Sequence, residues 1–216
     1  MKIKYLGHSS FLLTESTGTS VVCDPYGEGV GFKMPQVSAD AVTISHHHFD
    51  HDNVKAVSGS PVVLDKEQGF GLDGVDIKAF KSFHDGEKGK LRGENVIFKF
   101  RMDGLDVCHL GDLGEECSTE LIEAILPVNI LLIPVGGNYT IDAAQAKEYV
   151  DRIMPDVVIP MHYRTKDCKI DIDKVDEFLD LLEADTEIEN IDGEADFSRE
   201  EMDGERTKIV VMNRSI

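Results

Sequence analysis

The ten residues ISHHHFDHDN, at positions 44–53, contain four of the eight histidines of the chain and two of its aspartates. No hydrophobic core requires such residues, but imidazole nitrogens and carboxylate oxygens are the ligands that Zn²⁺ and similar divalent cations prefer. The spacing is His46-x-His48-x-Asp50-His51, and a short loop after a strand can turn alternate residues toward one point. We therefore predict that His46 and His48 share one metal ion, and that Asp50 and His51 reach a second ion.

Polar residues at the ends of other predicted strands would complete such a site, because loops at neighbouring strand ends bring distant residues together. These residues are His8 after YLG, Asp24 after VVC, His84 after AFKSF, Asp112 after CHLG and His162 after VVIPM. Two metal ions need a bridging group and further nitrogen ligands. The candidates are His84 or His109 as a third nitrogen for the first ion, together with Asp112 and His162. The alternative is that these histidines are buried by chance, but this alternative leaves two aspartates at strand ends without a role.

The segments that carry these residues read as short strands in the first half of the chain. They are rich in Val, Ile and Phe and are bounded by Gly, Asp and Pro, as in KIKYLGHSSFLL, TSVVCDP, DAVTIS, SPVVLD, VDIKAFKSF, NVIFKFRM and LDVCHL. Asp103-Gly104 lies between the last two segments, which is a strong hairpin signal.

Helices and strands alternate in the second half of the chain. Ser118 is predicted to cap one helix, and Thr140 or Asp142 a second helix. A further helix is predicted over residues 172–182, while NILLIPV, DVVIPMH and TKIVVMN read as strands. This order of elements predicts helices packed outside β-sheets, in a single domain that spans residues 1–216.

Composition limits the partners of the chain. A formal net charge of −19 repels phosphate backbones, so nucleic acid is not an expected partner. Eleven carboxylates and one arginine fall between Glu183 and Glu205, a run expected to form a solvated and partly ordered face. No segment has the roughly eighteen apolar residues of a membrane helix, and the N-terminus lacks a secretory signal. Four scattered cysteines without a CxxC pair suit the cytoplasm, where we expect the protein.

The order of these residues resembles the signature of the metallo-β-lactamase-fold hydrolases: His46-x-His48-x-Asp50-His51, then His84, Asp112 and His162. The resemblance implies an α/β architecture, a four-layer αββα sandwich with two sheets packed face to face and helices outside. More narrowly, YLGHSSFLL, VVCDPY, CHLGDLG, LLIPVGGNYT and VIPMHYRT are similar to the branch that includes L-ascorbate-6-phosphate lactonase. The resemblance extends from about residue 1 to about residue 166, and the closing helix and strand also suit it.

The resemblance implies a ligand set for two divalent ions, with Zn²⁺ expected and Mn²⁺ or Fe²⁺ compatible with the same ligands. In that set the first ion would be held by His46, His48 and His84, the second by Asp50, His51 and His162, and Asp112 would bridge them. Flavin-linked diiron relatives carry Glu at the position of His48. The histidine therefore favours hydrolysis over the reduction of oxygen or nitric oxide.

Three histidines outside this set need separate treatment. His109 competes with His84 for the first ion, and we favour His84 because it ends its own strand; His109 would then lie beside the metals as a proton donor or substrate contact. His8 is similar to a histidine of the lactonase-like branch and is predicted to line the pocket and contribute to catalysis. For His8 and His109 the alternative is a hydrogen bond that supports a ligand. Asp24 is expected to orient the ligand loop through backbone hydrogen bonds, and His47 to point away from the metals.

The implied mechanism is attack by a hydroxide held between the two ions, with Asp50 as the catalytic residue that holds it and shuttles its proton. The loop GGNYT is predicted to line the substrate pocket with Asn138 and Tyr139; a plain turn before a helix is the alternative. Arg164 follows a proposed ligand and would bind a carboxylate or phosphate of the substrate, or else lie on the surface.

Together these features predict a metal-dependent hydrolase of a small, anionic lactone, ester or phosphoester. The alternatives are a phosphodiesterase or nuclease of the same fold, and a non-catalytic metal-binding sensor. The lack of a basic patch counts against long nucleic acids, and the intact ligand set counts against a sensor. The expected partner is a small-molecule substrate, and a homo-oligomer is compatible with the sequence.

Overall fold

A six-stranded β-sheet forms one half of the computed structural model, which describes residues 1–214. Its strands are β1 (Lys2–Gly7), β2 (Ser10–Thr14), β3 (Ser20–Cys23), β5 (Ala41–Thr43), β7 (Val62–Leu64) and β15 (Glu194–Asp196). They lie in the order β15-β1-β2-β3-β5-β7. The pairs β1–β2 and β2–β3 are antiparallel, whereas β3, β5 and β7 run parallel. The residues that follow β3 and β5 therefore emerge at the same edge of this sheet.

An eight-stranded sheet forms the other half. Its strands are β8 (Phe70–Leu72), β9 (Val75–Phe83), β10 (Glu94–Met102), β11 (Leu105–His109), β12 (Ile130–Pro134), β13 (Val157–Met161), β14 (Ile188–Asp192) and β16 (Lys208–Asn213). They lie in the order β14-β16-β13-β12-β11-β10-β9-β8. The predicted hairpin joins β10 to β11, and Asp103 and Gly104 have φ values of 50° and 75°. Both values lie in the left-handed region that two-residue hairpin turns require.

The two sheets pack face to face around a shared hydrophobic core. Successive side chains of a strand point to opposite faces, so every second residue of each strand enters this core. Phe11 and Leu13 of β2 and Phe98 and Phe100 of β10 are fully buried there. Ile97, which directly precedes Phe98, faces the other way and belongs to a second apolar cluster beneath the helices.

The α-helices cover the outer face of the eight-stranded sheet. They are α1 (Thr119–Ile125), α2 (Ala143–Ile153) and α3 (Asp176–Leu179), and their apolar residues pack on the outward side chains of β10–β13 and β16. None of the helices within residues 1–214 has the length and apolar composition that a membrane crossing requires.

The two longer helices begin at the caps that the sequence indicates. The Ser118 hydroxyl accepts a hydrogen bond from the Leu121 N–H at 3.1 Å, which caps α1. Of the two predicted starts for α2, Thr140 and Asp142, the structure uses Asp142. Its carboxylate accepts from the Gln145 N–H at 2.8 Å, and the Gln145 side chain accepts from the Asp142 N–H at 3.1 Å. This reciprocal capping box satisfies two N–H groups at the start of α2.

The third helix is shorter than predicted. The pattern of residues 172–182 predicts three turns, but α3 contains four residues. Before it, the Asp173 N–H donates to the Gly136 carbonyl at 2.7 Å, and the Asp173 carbonyl accepts from the Arg164 N–H at 2.7 Å. These long-range bonds hold the backbone in a conformation other than the start of a helix, so tertiary structure outweighs local propensity here.

Turns form the outermost layer on the six-stranded sheet, with no α-helix in this layer within the described residues. This layer contains 3-10 turns at Glu28–Val30 and Val54–Ala56 and the short parallel pair β4 (Val37–Ser38) and β6 (Val57–Ser58). Its first part, PYGEGVGFKMP, has alternating glycines between two prolines, a composition that disfavours an α-helix. The four-layer α/β sandwich is thus present, with compact turns as its fourth layer.

The acidic run between Glu183 and Glu205 is ordered and forms the edge of both sheets. It contains β14, which pairs with β16, and β15, which pairs with β1. Charged side chains on exposed edge strands discourage pairing with another chain. The run therefore fits a role in preventing the two sheet edges from pairing with another chain.

Replacing Phe98 by Ala should destabilise the fold, because the cavity would open in the fully buried core between the sheets. We expect a loss of about 3–5 kcal/mol in the free energy of unfolding, measured by urea titration. The matched control is Lys78→Ala on the exposed side of β9, which should change the value by about 0.5 kcal/mol or less. Equal effects of both variants would contradict the proposed core.

Candidate metal centre

The ends of several strands meet at one edge of the sandwich and bring together the polar residues singled out in the sequence. Asp24 follows β3, the histidine-rich loop follows β5, and His84 follows β9. Asp112 follows β11 and His162 follows β13, which lie in the parallel part of the larger sheet. Parallel strands end on the same side, so this convergence follows directly from the topology.

The first group of potential metal ligands consists of His46, His48 and His84. Each offers a ring nitrogen, and these three atoms lie within 4.8 Å of one another. The ring of His46 lies 4.6 Å from that of His48 and 4.5 Å from that of His84, centre to centre. His46 and His84 are buried, whereas His48 is exposed and forms the solvent side of the group.

The second group is buried and consists of His8, Asp50, His51 and His162, whose ligand atoms also lie within 4.8 Å of one another. His8 Nε2 donates to Asp50 Oδ2 at 3.2 Å, and the rings of His8 and His162 are 4.4 Å apart. His8 reaches this position because it turns the chain between β1 and β2 with a φ of 59°. The structure thus places His8 beside the three residues predicted for a second ion.

Asp112 lies between the two groups. Its Oδ2 is 3.4 Å from His84 Nε2 in the first group and 3.3 Å from His162 Nε2 in the second. Its Oδ1 is 3.3 Å from His51 Nε2. The Asp112 N–H donates to the Asn95 side chain at 3.0 Å, which fixes this part of the loop. One carboxylate therefore contacts ligands of both groups.

Hydrogen bonds behind the cluster turn ring nitrogens toward its centre. His51 Nδ1 donates to Asp24 Oδ2 at 2.8 Å, so His51 Nε2 faces the centre. Ser45 donates its hydroxyl proton to the same Asp24 oxygen, and its own oxygen accepts from His46 Nδ1 at 2.9 Å. His46 therefore presents the lone pair of its Nε2. A single carboxylate thus orients one histidine from each group, the usual arrangement behind metal-binding histidines.

Several atoms that face into the cluster lack hydrogen-bond partners among the described residues. They are Nε2 of His46, Nε2 of His51 and Oδ1 of Asp112. Buried polar atoms are normally paired. A divalent cation would satisfy all three atoms at once, so these residues fit a bound metal.

The local electrostatics favour the same conclusion. Burial, reinforced by repulsion from His51, lowers the pKa of His46 to about 2, so this imidazole is neutral. Burial raises the pKa of Asp112, but the attraction of His162 and His51 outweighs it and holds the pKa well below the usual range. Metal ions bind neutral imidazoles and charged carboxylates. Both residues are in the form that binds a cation.

Two other histidines lie outside these groups. His109 Nε2 donates to the Ser9 carbonyl at 2.8 Å, and its Nδ1 accepts from the Gly111 N–H at 3.1 Å. Both ring nitrogens are thus engaged, and His84 rather than His109 lies with His46. The predicted role of His109 in catalysis stays a prediction. His47 is exposed and faces Asp52 and Asp65 at the surface.

Comparison with known proteins gives this centre a family. Residues 2–162 match the β-lactamase superfamily domain. The chain belongs to this family. It is 31% identical over 196 residues to a UPF0173 metal-dependent hydrolase of Pelotomaculum thermopropionicum, covering 76% of this chain and 85% of that one. A UPF0173 metal-dependent hydrolase of Methanospirillum hungatei is 30% identical over 215 residues, which cover 88% of this chain and 94% of that relative.

A solved structure is similar along almost its whole length. It is a proposed zinc-dependent hydrolase of the metallo-β-lactamase superfamily from Thermotoga maritima, with 37% identity and a TM-score of 0.80. The similarity covers 98% of this chain and 97% of that protein. These findings confirm the predicted fold and the predicted enzyme class, a metal-dependent hydrolase of the β-lactamase superfamily.

Hydrogen bonds between loops form the rim around the centre in this β-lactamase superfamily member. Two of them join backbone groups: the Gly27 N–H donates to the Phe49 carbonyl at 2.9 Å, and the Lys169 N–H donates to the Val30 carbonyl at 2.8 Å. The other two come from side chains: Asn138 Nδ2 donates to the Asp171 carbonyl at 2.7 Å, and Arg92 Nη2 donates to the Asn138 carbonyl at 3.1 Å. The rim therefore joins segments that are far apart in sequence.

The rim contains two of the three residues predicted to bind substrate. Asn138 and Tyr139 lie on the loop after β12, where the Asn138 side chain is already engaged with Asp171. Arg164 is exposed, and the bond described for it is from its backbone N–H to Asp173. A further cation, Arg92, contacts both Asn138 and Tyr139. The substrate-binding roles stay predictions, and Arg92 is a residue that the sequence analysis missed.

Two glycines allow loops to pack directly on the metal-ligand segments. A Cβ atom at Gly136 would overlap the carbonyl oxygen of His162. A Cβ atom at Gly114 would lie 2.5 Å from the carbonyl carbon of His84. Backbone rather than side chain must give way at both positions, so the glycines are required by close approach.

Replacing Ser45 by Ala should weaken metal binding, because the His46 ring would lose the hydroxyl that orients it. Loss of such a supporting group typically costs about 10–100-fold in metal affinity. Zinc affinity would be measured by competition with a chelating dye. The control, Ser58→Ala, removes a hydroxyl bonded to the Val37 carbonyl on the outer layer. Unchanged affinity in Ser45→Ala would contradict this role.

Proposed function

We propose that the centre holds two divalent ions, with Zn²⁺ as the first choice, and that the enzyme hydrolyses a small anionic lactone, ester or phosphoester. The observation that supports two ions is the position of Asp112. Its carboxylate is within 3.4 Å of His84 in one group and 3.3 Å of His162 in the other. A carboxylate placed in this way is suited to bridging a pair of metals.

The proposed ligand assignment follows the two groups. Three histidines would bind the first ion: His46, His48 and His84. Asp50, His51 and His162 would bind the second, and Asp112 would contact both. Ions held in this way would supply Lewis acidity and would lower the pKa of water toward neutrality.

The residues around Asp50 are suited to moving a proton. Asp50 Oδ2 is 3.2 Å from His8 Nε2 and 3.6 Å from His51 Nε2. We assign Asp50 the role of taking the proton that the attacking water releases and returning it to the leaving oxygen. His8 holds the Asp50 carboxylate in place through its N–H. Within this proposal His8 contacts the catalytic carboxylate rather than lining the outer pocket.

Three broader expectations accompany this function. The resemblance to the lactonase-like branch makes phosphorylated lactones one class to test. A cytoplasmic location is supported by the cysteines, because Cys23, Cys108, Cys117 and Cys168 are all free. The expected partner is a small molecule, since the net charge of −19 opposes binding of long nucleic acids.

The Asp50→Ala variant tests the catalytic assignment. Wild-type protein reconstituted with zinc should contain about two equivalents per chain and should hydrolyse at least one lactone, ester or phosphoester in a panel. Asp50→Ala should lose at least about 100-fold in kcat, because proton transfer by a positioned group contributes at least that much. The control is Asp52→Ala, which removes a carboxylate of the same loop that faces His47 instead of the metals.

Each outcome of this panel separates the candidate functions. Full activity in Asp50→Ala would refute the proton-transfer role. Hydrolysis of bis-p-nitrophenyl phosphate without hydrolysis of any lactone or carboxylic ester would favour a phosphodiesterase. Two bound zinc ions with no turnover of any substrate would favour a sensor.

A further inference from the structure

A half-buried arginine that the proposed chemistry does not use lies at the rim of the metal centre. Arg92 lies on the loop that follows His84 and connects β9 to β10. Within residues 1–214, no carboxylate lies within 4.0 Å of its guanidinium. This is notable in a chain with 41 acidic and 22 basic residues, where carboxylates are the more abundant charge.

The backbone of Arg92 is held in a fixed position next to a metal-ligand residue. Asp85 directly follows His84, and its buried carboxylate accepts four backbone N–H groups of the same loop. The donors are Glu87 at 2.8 Å, Gly89 at 2.9 Å, Leu91 at 2.9 Å and Arg92 at 2.7 Å. The loop is therefore rigid, and the start of the Arg92 side chain is anchored relative to His84.

The guanidinium is held from the opposite side of the rim. Its Nη2 donates to the Asn138 carbonyl at 3.1 Å, and its central carbon lies 5.4 Å from the centre of the Tyr139 ring. That loop in turn packs on the His162 segment through Gly136. The other N–H groups of the Arg92 guanidinium have no acceptor among the described residues. A planar, anchored cation with free donors is suited to binding an oxyanion.

We propose that Arg92, held against Tyr139, binds an anionic group of the substrate that is separate from the bond to be cleaved. This inference rests on the proposed function and names the substrate class of the same site, a molecule with a carboxylate or phosphate at its non-reacting end. Arg164 is less suited to the role, because it is exposed and its side chain has no described contact that orients it.

The first test compares two esters that differ in one charge. The zinc-loaded, full-length enzyme would be assayed with the mono-p-nitrophenyl ester of succinate and with p-nitrophenyl butyrate, which has a methyl group in place of the carboxylate. Wild-type enzyme should prefer the succinate ester. Arg92→Met should raise KM for that ester about 10–100-fold, the effect expected for loss of a hydrogen bond to a charged group, and should leave butyrate hydrolysis unchanged. Arg92→Lys should retain part of the preference.

Two controls decide whether the effect belongs to Arg92. Arg101→Met removes an exposed arginine near the far end of β10, beyond the core, and should leave both esters unaffected. Arg164→Met should also retain the preference. Loss of the preference for the succinate ester in Arg164→Met but not in Arg92→Met would refute the proposal. An equal fall in the hydrolysis of both esters in Arg92→Met would also refute it.

A binding measurement separates failure of this inference from failure of the proposed hydrolysis. The arginine Nε–Hε signals of the zinc-loaded protein would be followed by NMR during titration with succinate, 3-phosphonopropionate or butyrate. The first two should shift the Arg92 signal saturably, and butyrate should not. Whichever of succinate and 3-phosphonopropionate binds more tightly identifies the preferred anion. If Arg92→Met binds succinate and 3-phosphonopropionate with the same affinities as the wild-type protein, the proposal is refuted, whether or not either ester is hydrolysed.

Discussion

The buried carboxylate of Asp112, surrounded by imidazoles, is the interaction on which the centre depends. Removing a carboxylate from water is costly unless a partner compensates for the lost hydration. Here the closest partners are ring nitrogens, and His51, whose Nδ1–H is committed to Asp24, turns its Nε2 toward Asp112. Burial lowers the pKa of His51, but the attraction of Asp112 and Asp24 outweighs it and raises the pKa well above the usual range, so a proton on this Nε2 compensates the Asp112 charge. A metal ion would take the place of that proton, so metal binding and the stability of the folded site are linked.

This constraint explains why so much of the fold supports the loops around Asp112. Asp24, at the end of β3, contacts His51 directly and His46 through Ser45. Because β3 and β5 are parallel neighbours, the support and the ligands emerge together at one edge. On the larger sheet, Gly136 lets the loop after β12 lie directly on the backbone of His162. The position of each ligand thus depends on backbone packing as much as on side-chain hydrogen bonds.

The sequence predicts local features well and long-range ones poorly. The spacing around His46 indicates a metal site, and the caps at Ser118 and Asp142 indicate where helices begin, because each depends on a few neighbouring residues. The same holds for the polar residues that end strands. The length of α3 could not be predicted, since bonds from Asp173 to distant loops determine it.

The roles of individual rim residues show the same division. Asn138 was expected to face the substrate, but its side chain is engaged with the Asp171 carbonyl. Arg92 gave no signal in the sequence, where it lies among charged residues and glycines in a loop, EKGKLRGEN. Its position becomes meaningful through Asn138 and Tyr139, which belong to another loop. Ser45 is intermediate, because a hydroxyl immediately before His46 could have suggested a supporting hydrogen bond.

The distribution of charge gives a final reason for a cation at the rim. The whole chain, at −19, repels an anionic molecule at long range. Part of that charge is remote from the centre, because β15 pairs with Lys2 to Lys4 of β1 while His8 follows the end of that strand, roughly 13–20 Å away at 3.3 Å per residue. Over such a distance salt screens the repulsion, since the Debye length is about 8 Å at physiological ionic strength. Close to the rim, the guanidinium of Arg92 and the charge of any bound metal would act over a few ångströms and would be screened far less. An acidic protein can therefore select anionic substrates, provided that its acidic surface and its binding site are kept apart by the length of the strands.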